Sequence, residues 1–361
     1  MKPPYRADQV GSLLRPRELA EARLRWKNGG VEDRAFKEIE DRAILEAIRK
    51  QEAVGLEGIT DGEFRRDWWH LDFLSQLDGV ELKAMSGPRF GNTEEQPPIP
   101  VVTGKVKYSR PVMIEDFSFL KRHTRKNAKL TIPSPSMLHM RPGRAGISRE
   151  AYPDLAEFWA DCAAAYRAAI AAFAKAGCSY LQLDDTAFAY LCDPKMREAC
   201  RKNGDDPDKL PRQYAQTISR ALEGRPAGMT VTMHTCRGNF KSTWVAEGGY
   251  ESVAEAMFSA KVDAFFMEFD SARAGGFEPL RYLPKGKKVV LGLVSSKTGV
   301  MEDKDFIKRK IDEAARHVPL ENLCLSPQCG FSSTHHGNNL SQDEQWRKLE
   351  RVVEVAREVW R

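Results

Sequence analysis

TVTMHTC, residues Thr230–Cys236, starts with the β-branched pattern of a strand and ends in a histidine and a cysteine. Short runs of this kind, each closing on polar or small residues, recur along the chain between longer helical stretches. The eight runs are Arg6–Ser12, Gly58–Phe64, Ala128–Pro135, Ser179–Asp185, Thr230–Cys236, Ala264–Asp270, Val289–Ser295 and Leu323–Gly330. Repeated alternation of strand and helix is typical of α/β folds, and eight repeats predict a (β/α)8 TIM barrel.

The stretches between these runs have the periodicity of helices with one buried face. Apolar residues recur at helical spacing in Asp33–Ala53, Asp303–His317 and Gln342–Trp360, and Arg149–Lys175 is rich in alanine. Val80–Val112 breaks the rhythm with a further β-type segment, which predicts a hairpin inserted between the second and third barrel strands. Because no flexible linker or low-complexity tract divides the chain, we expect a single domain over residues 1–361.

The composition excludes several classes of protein. The 361 residues are 42% hydrophobic and 30% charged, and 56 Lys and Arg against 51 Asp and Glu give a formal charge of +5. A disordered chain is excluded, and no apolar run is long enough to predict a membrane span. The positive surplus is too dilute to predict binding to nucleic acid. Since the first 25 residues lack an apolar stretch of signal-peptide length, we expect a cytoplasmic protein.

Metal-binding residue types collect where strands are predicted to end, the place at which barrel enzymes carry their active sites. His234 and Cys236 are two residues apart, so on a strand they point to the same side. Glu268 and Cys329 lie at the ends of two other predicted strands. One imidazole, two thiolates and one carboxylate favour Zn²⁺ over Mg²⁺ or Ca²⁺. The sequence therefore predicts a zinc site.

Seven cysteines, an odd number, argue against a disulfide framework. Those outside the zinc site are interpreted as packing residues: Cys162, Cys178, Cys192, Cys200 and Cys324. Two anionic sulfurs and a carboxylate make a metal a weak activator of water but keep a substrate thiolate electron-rich. The ligand set thus favours alkyl transfer to sulfur over hydrolysis. Glu268 is alternatively a group adjacent to the ligands or a general base.

VTMHTC, FFMEFD and LSPQCG, in this order, resemble the zinc motifs of the cobalamin-independent methionine synthase family. The resemblance runs from about Arg6 to Glu358 and includes QVGSLLRP, KQEAVGLEGITDGEFRRD and LQLDD. It points to short, stand-alone members that lack the family's N-terminal duplicate barrel. The family transfers a methyl group from methyltetrahydrofolate to homocysteine sulfur held on zinc. The resemblance thus implies a methyltransferase of methionine biosynthesis, with the same four zinc ligands.

The resemblance also implies how homocysteine is held. The family's contacts to this amino acid fall on the backbone of Val10 and Gly11, and on the side chains of Ser12, Glu63 and Asp184. Two carboxylates suit the ammonium group of an amino acid, while backbone N–H groups and a hydroxyl suit its carboxylate.

The sequence departs from the family at residues expected to meet the methyl donor. The folate-stacking tryptophan is absent from PSPSMLHMRPG, and the glutamate expected after LQLDD falls near Tyr190. The family's proton-donating histidine is replaced by the SSKTG segment, where Lys297 is nearest. Lys297 is therefore the candidate catalytic residue; otherwise the donor is a more reactive one, such as a methylcorrinoid.

Several residues near the predicted strand ends have two interpretations. Trp68 and Trp69 either offer a stacking surface to the donor or pack beneath a loop. His335 and His336 are interpreted as loop residues at the mouth of the site, and Arg89 as a solvated residue or a contact to an anionic donor.

We predict a zinc-dependent methyltransferase that moves a methyl group to a zinc-bound thiol, from methylfolate or another methyl donor. Homocysteine is the favoured acceptor. The alternative is an alkyltransferase that joins an epoxide or another electrophile to a thiol such as coenzyme M, which has no ammonium for Glu63 and Asp184. A zinc hydrolase would be expected to carry more histidine ligands, and a structural zinc would leave the carboxylates unexplained.

Overall fold

The computed structural model describes residues 2–84 and 98–360, and Arg89 lies outside them. Strands and helices alternate over most of the described chain. The strands are β1 (Gly58–Ile59), β2 (Asp78–Lys83), β3 (Ile99–Lys107), β4 (Asn127–Pro133), β5 (Tyr180–Asp185), β6 (Thr230–Thr235), β7 (Ala264–Glu268), β8 (Lys288–Val294) and β9 (Leu323–Pro327). The α-helices are α1 (Arg17–Lys27), α2 (Asp33–Val54), α3 (Leu71–Leu74), α4 (Ile114–His123), α5 (Leu155–Lys175), α6 (Ala187–Tyr190), α7 (Pro194–Lys202), α8 (Leu210–Ala221), α9 (Ala254–Phe258), α10 (Lys304–Ala315) and α11 (Gln342–Val359).

Seven strands form one parallel sheet in the order β1-β4-β5-β6-β7-β8-β9. The segment before α1 bonds to both edges of this sheet. Ala7 forms a parallel bridge with Leu325 of β9, and the Leu13 N–H donates to the carbonyl of Gly62, just beyond β1. A single short segment reaches both edges because the sheet curls round on itself. The protein is therefore an α/β fold on a curled parallel sheet, as the alternation of strands and helices predicts.

The sheet brings distant parts of the sequence together at one end. Since its strands are parallel, their carboxyl ends meet on the same side. The register sets Asp184 of β5 beside His234 of β6, and Glu268 of β7 beside Gly292 of β8. Residues predicted to end separate strands thus become neighbours.

A separate antiparallel pair, β2 and β3, lies between β1 and β4 in chain order. Its register pairs Val80 with Val102 and Lys83 with Ile99. The pair occupies the region in which the sequence breaks the strand–helix rhythm, and the residues that connect its strands lie outside the described ranges.

The second predicted strand is much shorter than expected. β1 ends at Ile59, and DGEF continues as a turn in which Gly62 (φ 70°) and Glu63 (φ 59°) adopt left-handed backbone conformations. The Glu63 N–H donates to Asp61 Oδ1 at 2.8 Å. Side-chain hydrogen bonds of this kind compete with strand pairing, which a pattern of apolar residues does not reveal. Arg6–Ser12, likewise, is not a strand but contributes the single bridge of Ala7.

The helices match the predicted periodicity, with corrected ends. α5 begins at Leu155 and not at Arg149, because Asp154 caps the helix by accepting from the Ala156 N–H at 2.9 Å. Ser341 and Glu344 form a capping box at the start of α11. Within the described ranges, no helix is long and apolar enough to cross a membrane.

Candidate metal centre and substrate cavity

The four predicted metal ligands come together at the carboxyl ends of three strands. His234 belongs to β6 and Cys236 follows it, Glu268 ends β7, and Cys329 lies shortly beyond β9. One ligand atom from each residue lies within 4.8 Å of the others, and all four residues are buried. The two sulfurs are 3.5 Å apart. The cluster could hold one metal ion, and its mixture of N, S and O donors is one that Zn²⁺ accepts.

Two properties of the cluster fit a bound cation. Within the described ranges, neither ring nitrogen of the buried His234 forms a hydrogen bond of good geometry, and the imidazole interacts with the Cys329 sulfur. Coordination would satisfy such an otherwise costly nitrogen. A hydrogen bond from Cys236, with the adjacent His234, holds the pKa of Cys329 well below its ordinary value. Cysteine binds zinc as the thiolate, so the residues present fit this metal.

Positive groups surround Glu268. Its Oε1 accepts from the backbone N–H of Arg237 at 3.1 Å, and its Oε2 lies 3.3 Å from Arg273 Nη2. Burial raises the pKa of Glu268, and the Cys329 sulfur raises it further. The Arg237 guanidinium is fully buried, 4.4 Å from the centre of the Tyr250 ring. The charges of Lys297 and then Arg273 oppose the rise in the pKa of Glu268, and the charge of Lys297 also lowers the pKa values of Cys236 and Cys329.

Glu63 and Asp184, predicted to bind the substrate, are both buried in the wall of one cavity. Glu63 Oε1 accepts from Thr131 Oγ1 at 2.8 Å, and Asp184 Oδ1 accepts from Gln182 Nε2 at 2.7 Å. Burial, reinforced by the charge of Glu63, raises the pKa of Asp184 to about 7. Burial also raises the pKa of Glu63. Because two buried carboxylates stabilise a nearby cation, the pair suits an ammonium group.

Ser12, the third predicted substrate residue, lines the same cavity and accepts a hydrogen bond from the Ser332 N–H at 3.3 Å. Two glycines make this packing possible. A Cβ on Gly330 would lie 2.0 Å from Ser12 Oγ, and one on Gly11 would lie 2.6 Å from Glu63 Oε1. The backbone therefore approaches both substrate residues more closely than an alanine would allow.

Gly11→Ala is expected to displace Glu63 and to weaken homocysteine binding by about tenfold, the cost of one charge-assisted hydrogen bond. The added methyl would also lie 2.8 Å from Thr131 Cγ2, so the side chains of Glu63 and Thr131 would have to move. Isothermal titration with homocysteine measures the effect. Gly228→Ala is the matched control, because a Cβ there meets no atom within 4 Å. Unchanged affinity in Gly11→Ala would contradict the assigned position of Glu63.

Lys297 is buried, but it does not belong to the cavity lining. Its Nζ donates to the Thr243 carbonyl at 3.0 Å, to Asn239 Oδ1 at 3.2 Å and to the Gly238 carbonyl at 3.5 Å. An ammonium group has three donors, and each has a partner here. The catalytic role of Lys297 stays a prediction. Its contacts favour a supporting role, in which it ties the SSKTG segment to the loop after β6.

Trp68 and Trp69 both line the cavity. The Trp68 ring is nearly parallel to that of Phe240, with an interplanar angle of 16° and centroids 6.1 Å apart. His335 and His336 meet Trp68 edge-on at 5.6 Å and 6.1 Å. Trp68 thus packs against the histidine loop, while its position and that of Trp69 in the wall leave both able to contact a ligand.

The whole chain matches known proteins. Residues 6–358 match the family described as cobalamin-independent synthase, catalytic domain. The chain belongs to this family. This match confirms the resemblance seen in the sequence. The cobalamin-independent synthases are methyltransferases and are zinc-dependent in general.

Relatives of the chain within this family of synthases include proteins of similar length. Protein YxjG of Bacillus subtilis (strain 168), described as uncharacterized, is 47% identical over 365 aligned residues, 100% of this chain and 96% of the relative. The putative vitamin-B12-independent methionine synthase of Listeria monocytogenes is 40% identical, with a TM-score of 0.81 over 100% of this chain and 99% of that one.

A more distant solved structure shares the fold alone. It is a B12-independent methionine synthase from Shewanella sp. W3-18-1 in complex with selenomethionine, and it is 20% identical to this chain. Its TM-score is 0.75 over 98% of this chain and 97% of that one.

Proposed function

We propose that this protein is a zinc-dependent methyltransferase that converts homocysteine to methionine. The observation that carries the proposal is a single cavity, lined both by the cluster's His234, Cys236 and Cys329 and by the buried carboxylates Glu63 and Asp184. A thiol-binding centre beside a site for an ammonium group matches the two ends of an amino-acid thiol.

The zinc would be held by His234, Cys236, Glu268 and Cys329. Zinc, when bound, supplies a Lewis acid that keeps a substrate thiol deprotonated and nucleophilic at neutral pH. The chain's own residues orient the substrate. Glu63 and Asp184 pair with the ammonium group, and Ser12 with the neighbouring backbone N–H groups binds the carboxylate.

The overall reaction balances without an oxidant or reductant. The bond between the methyl carbon and the donor breaks with its electron pair left on the donor, and a new carbon–sulfur bond forms. The thiol loses one proton to the surroundings, and a donor amine would take one up. The Arg237 backbone N–H and the Arg273 guanidinium contact the Glu268 carboxylate and orient it within the cluster. We assign Lys297 the ordering of the loop after β6, with proton donation as the alternative.

The comparisons support this proposal at the level of the family. The Shewanella relative was solved with selenomethionine, the selenium analogue of the proposed product. We further propose that the seven-stranded sheet, with Arg6–Ser12 in the place of the remaining strand, is a (β/α)8 barrel. It would form a single domain over residues 1–361, with the β2–β3 pair as an inserted hairpin.

Transfer of an alkyl group to a non-amino-acid thiol, such as coenzyme M, is the second candidate. It shares the metal centre but offers no ammonium group to Glu63 and Asp184. Arg66 lies 3.7 Å from Glu63, yet the pKa of Asp184 is still raised to about 7, so the negative charge of the two buried carboxylates is not fully compensated. Their burial beside each other therefore favours homocysteine.

The test is an acceptor and donor screen on zinc-loaded protein. Homocysteine or coenzyme M is supplied with 5-methyltetrahydrofolate, as mono- and triglutamate, or with methylcobalamin, and products are measured by mass spectrometry. Methionine is expected from homocysteine, whose binding should release a proton in calorimetry. Alkylation of coenzyme M but not of homocysteine would overturn the proposal.

A further inference from the structure

Part of the cavity wall is used by neither the metal-ligand candidates nor the substrate carboxylates. It includes Trp69, His70 and Arg141. His70 is 1% exposed, and neither of its ring nitrogens has a hydrogen-bond partner in residues 2–84 and 98–360. Buried polar groups in folded proteins are nearly always paired. A buried, unpaired imidazole in a cavity wall therefore indicates a contact to a ligand.

The surroundings of His70 limit the chemistry of that ligand. Its ring centroid lies 4.6 Å from that of Trp69, so an aromatic surface adjoins the polar one. Burial, and then the charge of Arg141, hold the pKa of His70 well below its ordinary value. The imidazole is therefore neutral, with one N–H donor and one acceptor nitrogen. Arg141 adds a positive charge that disfavours a sulfonium or quaternary ammonium donor and favours an electron-rich one.

A second observation concerns the residues that could hold the methyl donor. The chain lacks the tryptophan and the glutamate that the family resemblance expects to hold the donor, and PSPSMLHMRPG and Tyr190 stand in their place. The segment RRDWWH supplies an aromatic ring and a hydrogen-bonding ring instead, from the turn that follows β1. Ser12, Glu63 and Asp184 are the proposed binding residues for homocysteine. The methyl donor is then the reactant to which no binding residue has been assigned.

We infer that His70 hydrogen-bonds the methyl donor, and that with Trp69 and Arg141 it recognises a flat heterocyclic donor with a polar edge. This inference rests on the proposed function. His70 is a positioning residue in this role: it fixes the donor relative to the substrate sulfur and takes no part in breaking the methyl bond. Its loss should weaken donor binding and leave homocysteine binding unchanged.

The test compares His70→Leu and His70→Gln with the wild type, all zinc-loaded. The probe is the triglutamate of 5-methyltetrahydrofolate, a flat heterocycle with a polar edge, titrated by calorimetry and by tryptophan fluorescence. We expect His70→Leu to bind the probe at least about tenfold more weakly, the size of one lost buried hydrogen bond. His70→Gln, which keeps a donor and an acceptor, should recover part of the affinity. His123→Gln is the control, since His123 is exposed and its ring contacts Phe119 of its own helix, α4.

Homocysteine titrations of the same variants separate the two proposals. Equal losses of probe and homocysteine affinity in His70→Leu would overturn the inference, as would full probe affinity. A wild type that binds S-methylmethionine or methylcobalamin but not the methylfolate probe would also overturn it. Absence of homocysteine binding in the wild type, with probe binding that depends on His70, would instead overturn the proposed function and leave the donor contact supported.

Discussion

Cys236→Ser is expected to remove the metal and the activity together. The wild type should contain about one zinc per chain, and the variant close to none, because a serine hydroxyl is not deprotonated near neutral pH as a zinc-bound thiol is. Residues that merely orient metal ligands commonly contribute 10- to 100-fold to affinity or activity, so loss of a ligand should cost more than about 100-fold. Metal analysis of dialysed protein and the methionine assay measure both effects.

The partner sulfur provides a second measurement. Cys236 Sγ and Cys329 Sγ are 3.5 Å apart, so Cys329→Ser should lose metal in the same way. Cobalt substitution would add a spectroscopic signature, since each thiolate ligand contributes charge-transfer absorption that the serine variants should reduce. Cys200→Ser is the matched control, because that cysteine is buried in α7 and outside the cavity. Full zinc content in Cys236→Ser would contradict the assigned metal centre.

The metal cluster could be predicted from sequence because its information is local. His234 and Cys236 stand two apart at the end of a β-branched run, and Glu268 and Cys329 also follow apolar runs. The four residues then come together because a parallel sheet has the carboxyl ends of all its strands on one side. Identifying the ends of the strands was therefore enough to group the four residues, without knowledge of the loops.

The positive groups around the cluster could not be predicted in this way. Arg237 lies in the loop after β6 and Arg273 in the short 3-10 helix Ala272–Ala274 after β7, and their roles depend on where the backbone turns. The same holds for Lys297, whose partners at Gly238, Asn239 and Thr243 belong to another loop. Side-chain direction in loops is set by tertiary contacts, and these leave no periodic signal in the sequence.

The turn that contains Glu63 could not be predicted from the sequence for a different reason. GITDGEF is one of the short β-type runs that close on polar or small residues, so it predicts a strand. The hydrogen bond from the Glu63 N–H to Asp61 and the left-handed conformations of Gly62 and Glu63 end it early. Strained backbone conformations are concentrated at functional sites, and here the strain turns a carboxylate into the cavity.

Asp184→Asn is expected to weaken ligand binding and to stabilise the ligand-free protein. The carboxylate is the proposed partner of the substrate ammonium, so its loss should weaken binding of homocysteine and of methionine by about 10- to 100-fold. Asparagine keeps an oxygen that can accept from Gln182 Nε2, so the shape of the wall is preserved. Removal of a buried charge should stabilise the folded state at pH 8 by about 1 to 3 kcal/mol.

The contribution of Asp184 to the free energy of unfolding depends on pH with a definite sign. Burial and Glu63 raise the pKa of Asp184 to about 7 in the folded protein, so between its ordinary value and pH 7 the folded state binds more protons than the unfolded one. The contribution of Asp184 to stability therefore falls as the pH rises through this range and is constant above it. Urea unfolding of both proteins, with matched zinc content, should show the advantage of Asp184→Asn at pH 8 and its loss near pH 4.

Methionine has the same ammonium group as homocysteine but no S–H. The pH dependence of methionine binding therefore reports on the Asp184 carboxylate without a contribution from thiol deprotonation. Wild-type affinity for methionine should fall as the pH drops below about 7, where Asp184 becomes protonated, and the affinity of Asp184→Asn should vary less. Asp185→Asn is the matched control. Its carboxylate accepts from Ser134, Ser136 and the Phe188 N–H, so that variant should lose stability. Equal methionine affinity in the wild type and in Asp184→Asn would contradict the ammonium site and, with it, the preference for an amino-acid thiol.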